Sequence, residues 1–243
     1  MAQLIGGRRA VREALLSGVG VVELHILSGR SEGELTELAG IASQQGIEAT
    51  SVSKSELERL LPGVNHQGVV ALIEPLRLLD LDELIELAGQ DRPKPLVMLD
   101  GVQDPHNLGA VIRSAEALGA GGVIWRDRRA VQLTPAAIKA SAGGAFRLPL
   151  CVVTNLDQTI RTLKKEGWWI YGLDAFGDQT IWELKLEGKL VLVLGSEGRG
   201  VSQLVRDRCD SLIRIPLLGS IASLNVSVSA GIVLAEWARQ NTP

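Results

Sequence analysis

The sequence contains few of the residues that cross-link small secreted proteins or bind metals. Its 243 residues include two cysteines and three histidines, and neither type forms a cluster with the spacing of metal ligands. We expect Cys151 and Cys209 to be buried thiols in a reducing compartment. The sequence therefore predicts neither a disulfide scaffold nor a bound metal.

Long apolar runs are also absent. No uninterrupted apolar stretch approaches the roughly 20 residues that a membrane-spanning helix needs, and the first residues lack the basic start and apolar middle of a secretory leader. We therefore expect a cytoplasmic protein with no membrane partner.

Positive charge is not in excess. The formal net charge of -3 and the pI near 5.7 argue mildly against a nucleic-acid partner. The five tryptophans, one tyrosine and two phenylalanines leave few surfaces on which bases could stack. Local basic groups nevertheless occur, and each could be an RNA contact or a solvated surface: Arg8, Arg9 and Arg12; Arg126, Arg128 and Arg129; Lys139 and Arg147.

Two α/β regions can be distinguished along the chain. Residues 1–74 alternate short helical and extended patterns, which predict a small α/β domain. Residues 75–95 contain three prolines and several acidic residues and are interpreted as a linker. Residues 96–243 contain uninterrupted apolar runs separated by helical stripes, which predict a mostly parallel sheet covered by helices. A C-terminal helix is predicted to start near Asn225, although apolar and polar residues also alternate there as in a strand.

Three polar or glycine-bearing segments follow apolar strand patterns in the second region, where α/β proteins bind ligands. They are residues 104–113, 195–200 and 223–231. The middle segment matches neither the dinucleotide fingerprint nor the phosphate loop, so it is interpreted as a tight turn carrying one carboxylate, that of Glu197.

Each of the other polar residues also has an ordinary structural explanation. Asn107 could cap the helix that follows it, and Arg113 could be a surface arginine. Ser223, Asn225 and Ser227 could begin a helix, although three such residues exceed what a single cap uses.

Taken together, three motifs resemble those of the SpoU-type 2′-O-ribose RNA methyltransferases of the SPOUT superfamily. They are residues 100–113, 192–200 and 213–231, in the order typical of that family. Residues 6–15 and 66–71 are similar to the substrate-binding domain of the same group, which resembles ribosomal protein L30e. The resemblance spans nearly the full length of the chain.

The resemblance implies an L30e-like N-terminal domain and a SPOUT catalytic domain with a C-terminal trefoil knot. It also implies a homodimer that uses S-adenosylmethionine to methylate RNA. In length and layout the chain is similar to bacterial enzymes that methylate a guanosine in the peptidyl-transferase loop of 23S rRNA. Transfer-RNA ribose methyltransferases share the same catalytic motifs, so a tRNA substrate is the alternative.

Site residues are transferred from the family only to matching positions. The resemblance implies a catalytic group of Asn107, Arg113, Glu197 and Asn225, and cofactor contacts at Gly195, Ile215, Leu217, Gly219 and Leu224. We expect Ser223 to complete the substrate pocket, and we expect Arg8, Arg9 and Arg12 to contact RNA phosphates because of their charge.

Two other classes of function remain open at this point. One is a non-catalytic RNA-binding ribosome-assembly factor that keeps the fold. The other is an unrelated small-molecule α/β enzyme, which the acidic pI and the scarcity of aromatic residues would favour.

Overall fold

The computed structural model describes residues 2–29, 33–127, 131–196 and 198–242. The first part of the chain contains β1 (Gln3–Gly6), α1 (Arg8–Ser17), β2 (Val21–Leu27), α2 (Glu34–Gln44), β3 (Ala49–Val52), α3 (Lys54–Leu60) and β4 (Val69–Ile73). The second part contains α4 (Leu81–Ala88), β5 (Leu96–Asp100), α5 (Pro105–Ala117), β6 (Gly122–Arg126), α6 (Pro135–Ala140), a 3-10 turn (Gly144–Phe146), β7 (Leu150–Val153), α7 (Leu156–Lys165), β8 (Trp169–Leu173), β9 (Gln179–Thr180), β10 (Leu190–Gly195), α8 (Gln203–Arg206), β11 (Ser211–Arg214) and α9 (Val226–Asn241).

The first part is a small mixed sheet with three helices. Its strands lie in the order β1-β4-β2-β3. β4 is antiparallel to both of its neighbours, and β2 and β3 are parallel. The second part is a sheet in the order β7-β6-β5-β10-β8-β11-β9, in which each neighbouring pair is parallel.

The second sheet is covered on both faces, as its apolar runs predict. Alternate residues of a strand point to opposite faces, and in β5 Val97 and Leu99 pack with α5 and α9 whereas Leu96 and Met98 pack with α4 and α7. The predicted fold class, a small α/β part followed by a mostly parallel sheet between helices, is confirmed. The knot and the homodimer stay predictions.

The strongly patterned elements were predicted with small shifts at their ends, and the choice of a helix after Asn225 is confirmed by α9. Sequence patterns missed β1, β3, β7 and β9. These strands have only two to four residues, too few to show a period.

The segment predicted as a linker contains ordered structure. Asp80 and Glu83 form a reciprocal capping box at the start of α4, and Leu84, Ile85 and Ala88 are buried against the parallel sheet. Much of residues 75–95 therefore packs on the second part. The predicted bounds of 1–74, 75–95 and 96–243 stay a prediction.

The described residues provide neither a membrane-spanning helix nor a cluster of metal ligands. None of their helices has both the length and the apolar character needed to cross a membrane, and they contain no group of three or more His, Cys, Asp or Glu side chains that could hold a metal ion. Cys151 and Cys209 are free, and burial raises the pKa of each thiol to about 11. Both thiols are therefore protonated and unreactive at neutral pH.

The C-terminal end of α9 is fixed by a buried carboxylate. Glu236 accepts hydrogen bonds from Arg239 Nε at 2.8 Å, Arg239 NH2 at 2.7 Å and Gln240 Nε2 at 2.6 Å. Gln240 also accepts the N–H of Leu186 at 2.8 Å and donates to Leu184 O at 3.0 Å. The cluster thus joins α9 to the segment that precedes the central strand β10.

We expect Glu236→Gln to lower the free energy of unfolding by about 1.5–3 kcal/mol at pH 7, since hydrogen bonds between charged partners would be lost. The Arg239 guanidinium holds the pKa of the Glu236 carboxyl below its usual value, against the opposing effect of burial. The stabilisation is therefore complete above the ordinary carboxyl pKa and is lost as the pH falls through the lowered one. Urea denaturation at several pH values measures the difference. The exposed Glu187→Gln is the control, and an equal loss in both variants would contradict the assignment.

Candidate active site

A cleft opens at the carboxyl ends of β8, β10 and β11, the edge of a parallel sheet at which ligands bind. Its volume is about 370 Å³, within the range of about 300–1,000 Å³ found for small-molecule sites. Apolar side chains form much of its wall, together with the turn after β10 and the irregular chain that precedes α9. The residues that line it include Leu173, Leu194, Ile213, Ile215, Leu217, Leu224 and Val226.

The turn after β10 depends on Gly195. A Cβ at this position would lie 1.9 Å from the carbonyl carbon of Gly200 and 2.1 Å from the amide nitrogen of Val201. The chain turns back at once, since Ser196 N–H donates to Gly200 O at 3.1 Å and Gly200 N–H donates to Ser196 O at 2.9 Å. Only glycine permits this approach of two backbone segments.

Two carboxylates fix the chain beside this turn. Asp100, buried at the end of β5, accepts the N–H of Ser202 at 2.8 Å. Asp174, which lines the cleft after β8, accepts a hydrogen bond from Arg206 NH1 at 2.6 Å. Arg206 lines the cleft as well, and its charge is paired with that of Asp174.

The predicted cofactor residues largely meet in this cleft. Gly195, Ile215, Leu217 and Leu224 line it, as does the predicted substrate residue Ser223. Gly219 lies on the same irregular segment but is exposed and is not part of the lining.

An amide bridge joins the first and third motifs. Asn225 caps α9, because its Oδ1 accepts Ser227 N–H at 2.8 Å and Ser227 Oγ–H at 2.6 Å. Its Nδ2 must then point away from the helix, and it donates to Asn107 Oδ1 at 3.0 Å. The bridge lies next to Leu224 and Val226 in the chain, both of which line the cleft.

Asn107 does not cap the helix on which it lies. Asp104 caps α5 by accepting His106 N–H at 2.8 Å, and Pro105 occupies the first helical position. The alternative explanation of Asn107 as a cap is therefore wrong, and its amide faces Asn225 instead.

Arg113 lies on α5 outside the residues that line the cleft. It is exposed, and it has neither a hydrogen bond nor an ion pair within the described part of the chain. Its neighbour Ser114 faces α9, since its Oγ would lie 3.8 Å from a Cβ added to Gly231. A charged guanidinium with no partner among the described residues is thus available on α5, the helix that also carries Asn107.

The sequence singles out four further charged residues. Glu197, Arg128 and Arg129 lie outside the described residues. Arg126, at the end of β6, has a buried Nε without a hydrogen-bond partner among the described residues.

The three N-terminal arginines lie on α1, far along the chain from the cleft. Arg8 NH1 pairs with Glu34 Oε2 at 2.7 Å, and Arg12 NH2 pairs with Glu37 Oε1 at 2.7 Å. Arg9 is exposed. The charges of Arg8 and Arg12 are therefore partly balanced within the first part of the chain.

Sequence reasoning missed several residues that shape the site. Asp100 belongs to the first motif, but nothing in the sequence indicates that it accepts the N–H of Ser202. The pair formed by Asp174 and Arg206 joins residues 32 positions apart. No local spacing rule identifies such a pair.

Comparison with known protein families shows the family to which the chain belongs. Residues 94–235 match the model of the SpoU rRNA methylase family, and residues 4–79 match the model for RNA 2′-O ribose methyltransferase substrate binding. The chain belongs to the SpoU rRNA methylase family. It is an enzyme, an RNA 2′-O-ribose methyltransferase, and the predicted enzyme class is confirmed.

Relatives agree with this membership along nearly the whole chain. A protein of Mycobacterium sp. (strain KMS), named as an uncharacterized tRNA/rRNA methyltransferase, is 42% identical over 98% of this chain and 76% of its own length. The SpoU methyltransferase AviRb from Streptomyces viridochromogenes, solved with AdoMet, has a TM-score of 0.83 and 26% identity over 98% of this chain and 90% of that chain. The AdoMet-bound rRNA methyltransferase from Sinorhizobium meliloti has a TM-score of 0.79 and 25% identity over 100% of this chain and 88% of that chain.

We expect Gly195→Ala to weaken the binding of S-adenosylmethionine about tenfold or more. The new methyl group would force the backbone of residue 195 away from that of Gly200, and overpacking of this kind costs about 1–3 kcal/mol of free energy. Titration calorimetry of the folded variant measures the affinity. Gly40→Ala is the matched control, since a Cβ at Gly40 in α2 meets open space. Unchanged affinity in folded Gly195→Ala would show that the turn does not form the binding wall.

Proposed function

We propose that this SpoU-family enzyme methylates the ribose of a guanosine in the peptidyl-transferase loop of 23S rRNA. The observation that carries the methyltransferase part of the proposal is the amide bridge between Asn107 and Asn225, which joins the family's first and third motifs beside the cleft. The match of an rRNA methyltransferase to the full length of this chain supports rRNA over tRNA as the substrate.

The cleft fits S-adenosylmethionine, the methyl donor of the enzyme. Its apolar walls suit a flat adenine ring. Residues 215–224 are in neither a helix nor a strand, so their backbone N–H and C=O groups are available to the polar edge of that ring. We propose that Gly195, Ile215, Leu217, Gly219 and Leu224 hold the donor, which supplies a methyl group on a positively charged sulfur.

The chemistry of the acceptor explains why the substrate is RNA, since DNA lacks the 2′-hydroxyl. This oxygen must lose its proton as it attacks, so negative charge develops on it. Charge of that kind is stabilised best by preorganised hydrogen-bond donors.

Arg113 is the proposed donor to that charge. A guanidinium remains protonated in proteins and is a poor base. We therefore assign Arg113 to charge-assisted hydrogen bonds with the RNA phosphate or the developing alkoxide, while the proton passes to a phosphate oxygen or water. Its exposure and its lack of a partner among the described residues support this role.

The remaining polar residues are proposed to orient these groups. Asn107 and Glu197 would orient Arg113, and Asn225 and Ser223 would complete the pocket for the ribose. Ser223 lines the cleft, and Asn225 is held by the cap of α9. Arg8, Arg9 and Arg12 are proposed contacts to rRNA phosphates.

We also propose that the enzyme acts as a homodimer. Four large apolar side chains are exposed: Phe176 and Leu217 line the cleft, and Leu218 and Ile221 belong to the same irregular segment as Leu217. Exposed apolar side chains grouped in this way are typical of an interface. A second copy of the chain would cover it.

We expect Arg113→Ala to reduce the rate of methylation about 100-fold or more, the usual cost of removing a donor that stabilises transition-state charge. Its affinity for S-adenosylmethionine should not change, since Arg113 does not line the cleft. Single-turnover rates and calorimetry test both statements. Arg113→Lys should not restore the rate at any pH, because lysine lacks the planar fork. Nearly full activity in Arg113→Lys would contradict the role.

The substrate itself can be identified by mass spectrometry of nucleosides. rRNA and tRNA from cells with and without the gene are compared for ribose methylation. We expect one guanosine of 23S rRNA to lose its 2′-O-methyl group in the deletion strain. Loss from a tRNA alone would establish the alternative substrate, and no loss from either RNA would contradict the proposed activity.

A further inference from the structure

An ion pair joins the two parts of the chain close to Arg113. Arg147 NH2 lies 2.6 Å from Glu13 Oε2, and the Glu13 side chain is 20% exposed. Glu13 belongs to α1 in the first part. Arg147 directly follows the 3-10 turn Gly144–Phe146 in the second part. The basic group of Lys139 and Arg147 is therefore not a free surface.

The 3-10 turn lies between α1 and α5. On one side, a Cβ added to Gly144 would be 3.2 Å from Ile112 O and 3.4 Å from Arg113 Cα. On the other side, a Cβ added to Gly143 would be 2.5 Å from Glu13 Cγ. The two glycines thus let the turn contact the backbone of Arg113 and the side chain of Glu13 at the same time.

Hydrogen bonds also brace the turn internally. The buried Ser141 donates through Oγ to Ile138 O at 2.7 Å and accepts Ala145 N–H at 3.2 Å. A movement of α1 would therefore shift the turn as a unit instead of being absorbed within it.

Further contacts hold the two parts in one orientation. Lys139 Nζ donates to Asn65 O, and Gln3 Nε2 donates to Leu133 O at 2.9 Å. Burial lowers the pKa of Lys139. Buried apolar residues of both parts, including Ile5 and Val11 of the first and Ile138 of the second, belong to one continuous cluster.

We propose that Glu13 and Arg147 are positioning residues that couple the substrate-binding part of the chain to Arg113. The ion pair sets the position of α1 against the turn, and the turn sets the backbone position of Arg113. RNA that is bound by the first part is then placed with its target ribose next to the guanidinium of Arg113. This inference rests on the proposed function of Arg113.

The alternative is that Arg147 contacts an RNA phosphate directly. The two roles differ in their response to Glu13→Gln, an isosteric change that releases Arg147 without removing it. A phosphate contact would strengthen RNA binding in this variant, whereas a positioning role would slow methylation and leave the affinity for RNA unchanged.

The experiment compares full-length Glu13→Gln, Arg147→Ala and the double exchange Glu13→Arg with Arg147→Glu. Single-turnover methylation and filter binding use rRNA from a strain lacking the enzyme. We expect each single variant to lower the rate about tenfold, since small misplacements of a catalytic group are costly, with unchanged affinities for RNA and S-adenosylmethionine. The double exchange should restore most of the rate. Arg161→Ala, which breaks an exposed ion pair on α7, is the control and should behave as the wild type.

Hydrogen exchange provides a second readout that does not require activity. We expect faster exchange at residues 111–115 and 143–147 in both single variants and not in Arg161→Ala. Unchanged exchange there overturns the proposal, as does a loss of RNA affinity in Arg147→Ala equal to the loss of rate. If the wild type methylates no RNA, the proposed function fails, and the exchange data still decide whether the ion pair positions Arg113.

Discussion

The close contact between Gly195 and Gly200 is the constraint on which the site depends. Because no side chain separates these backbones, the chain reverses directly at the end of the central strand β10. Ser202 can then reach the buried Asp100 at the end of β5, and Arg206 can reach Asp174 after β8. The turn thus connects three neighbouring strands at one edge of the sheet. A cleft remains between the turn and the irregular segment before α9.

The polar half of the site comes from two helices that start at the same edge. Asn107 and Asn225 are 118 positions apart, yet one hydrogen bond joins them. Because Asn225 also caps α9, its amide cannot rotate without loss of the cap. The same bond therefore orients Asn107 and ties the first turn of α5 to the wall of the cleft. Arg113, about 9 Å further along the helix, lies between this bridge and the turn that Glu13 contacts.

Periodicity and residue type predicted the parts of this structure that have long, regular patterns. Most strands of the parallel sheet, the helix after Asn225 and the tight turn at Gly195 follow from apolar runs, helical spacing and glycine. The very short strands β3 and β9 show no period. Charge alone does not reveal ion pairs: Arg8, Arg12 and Arg147 look like a basic surface in sequence, and in the structure each has an acidic partner. Such pairs depend on how distant segments meet, which no spacing rule describes. The catalytic roles came from the resemblance to the family and not from the pattern.

The central claim is that the cleft beside the turn at Gly195 holds the methyl donor within reach of the amide bridge. A crystal structure of the protein with S-adenosylmethionine tests it most directly. The account predicts the donor in the cleft, in contact with the backbone of Gly195, Ile215 and Leu217 and with its methyl group on the side of Asn107 and Asn225. A donor bound elsewhere on the chain, or one whose methyl group faces away from the bridge, would contradict it.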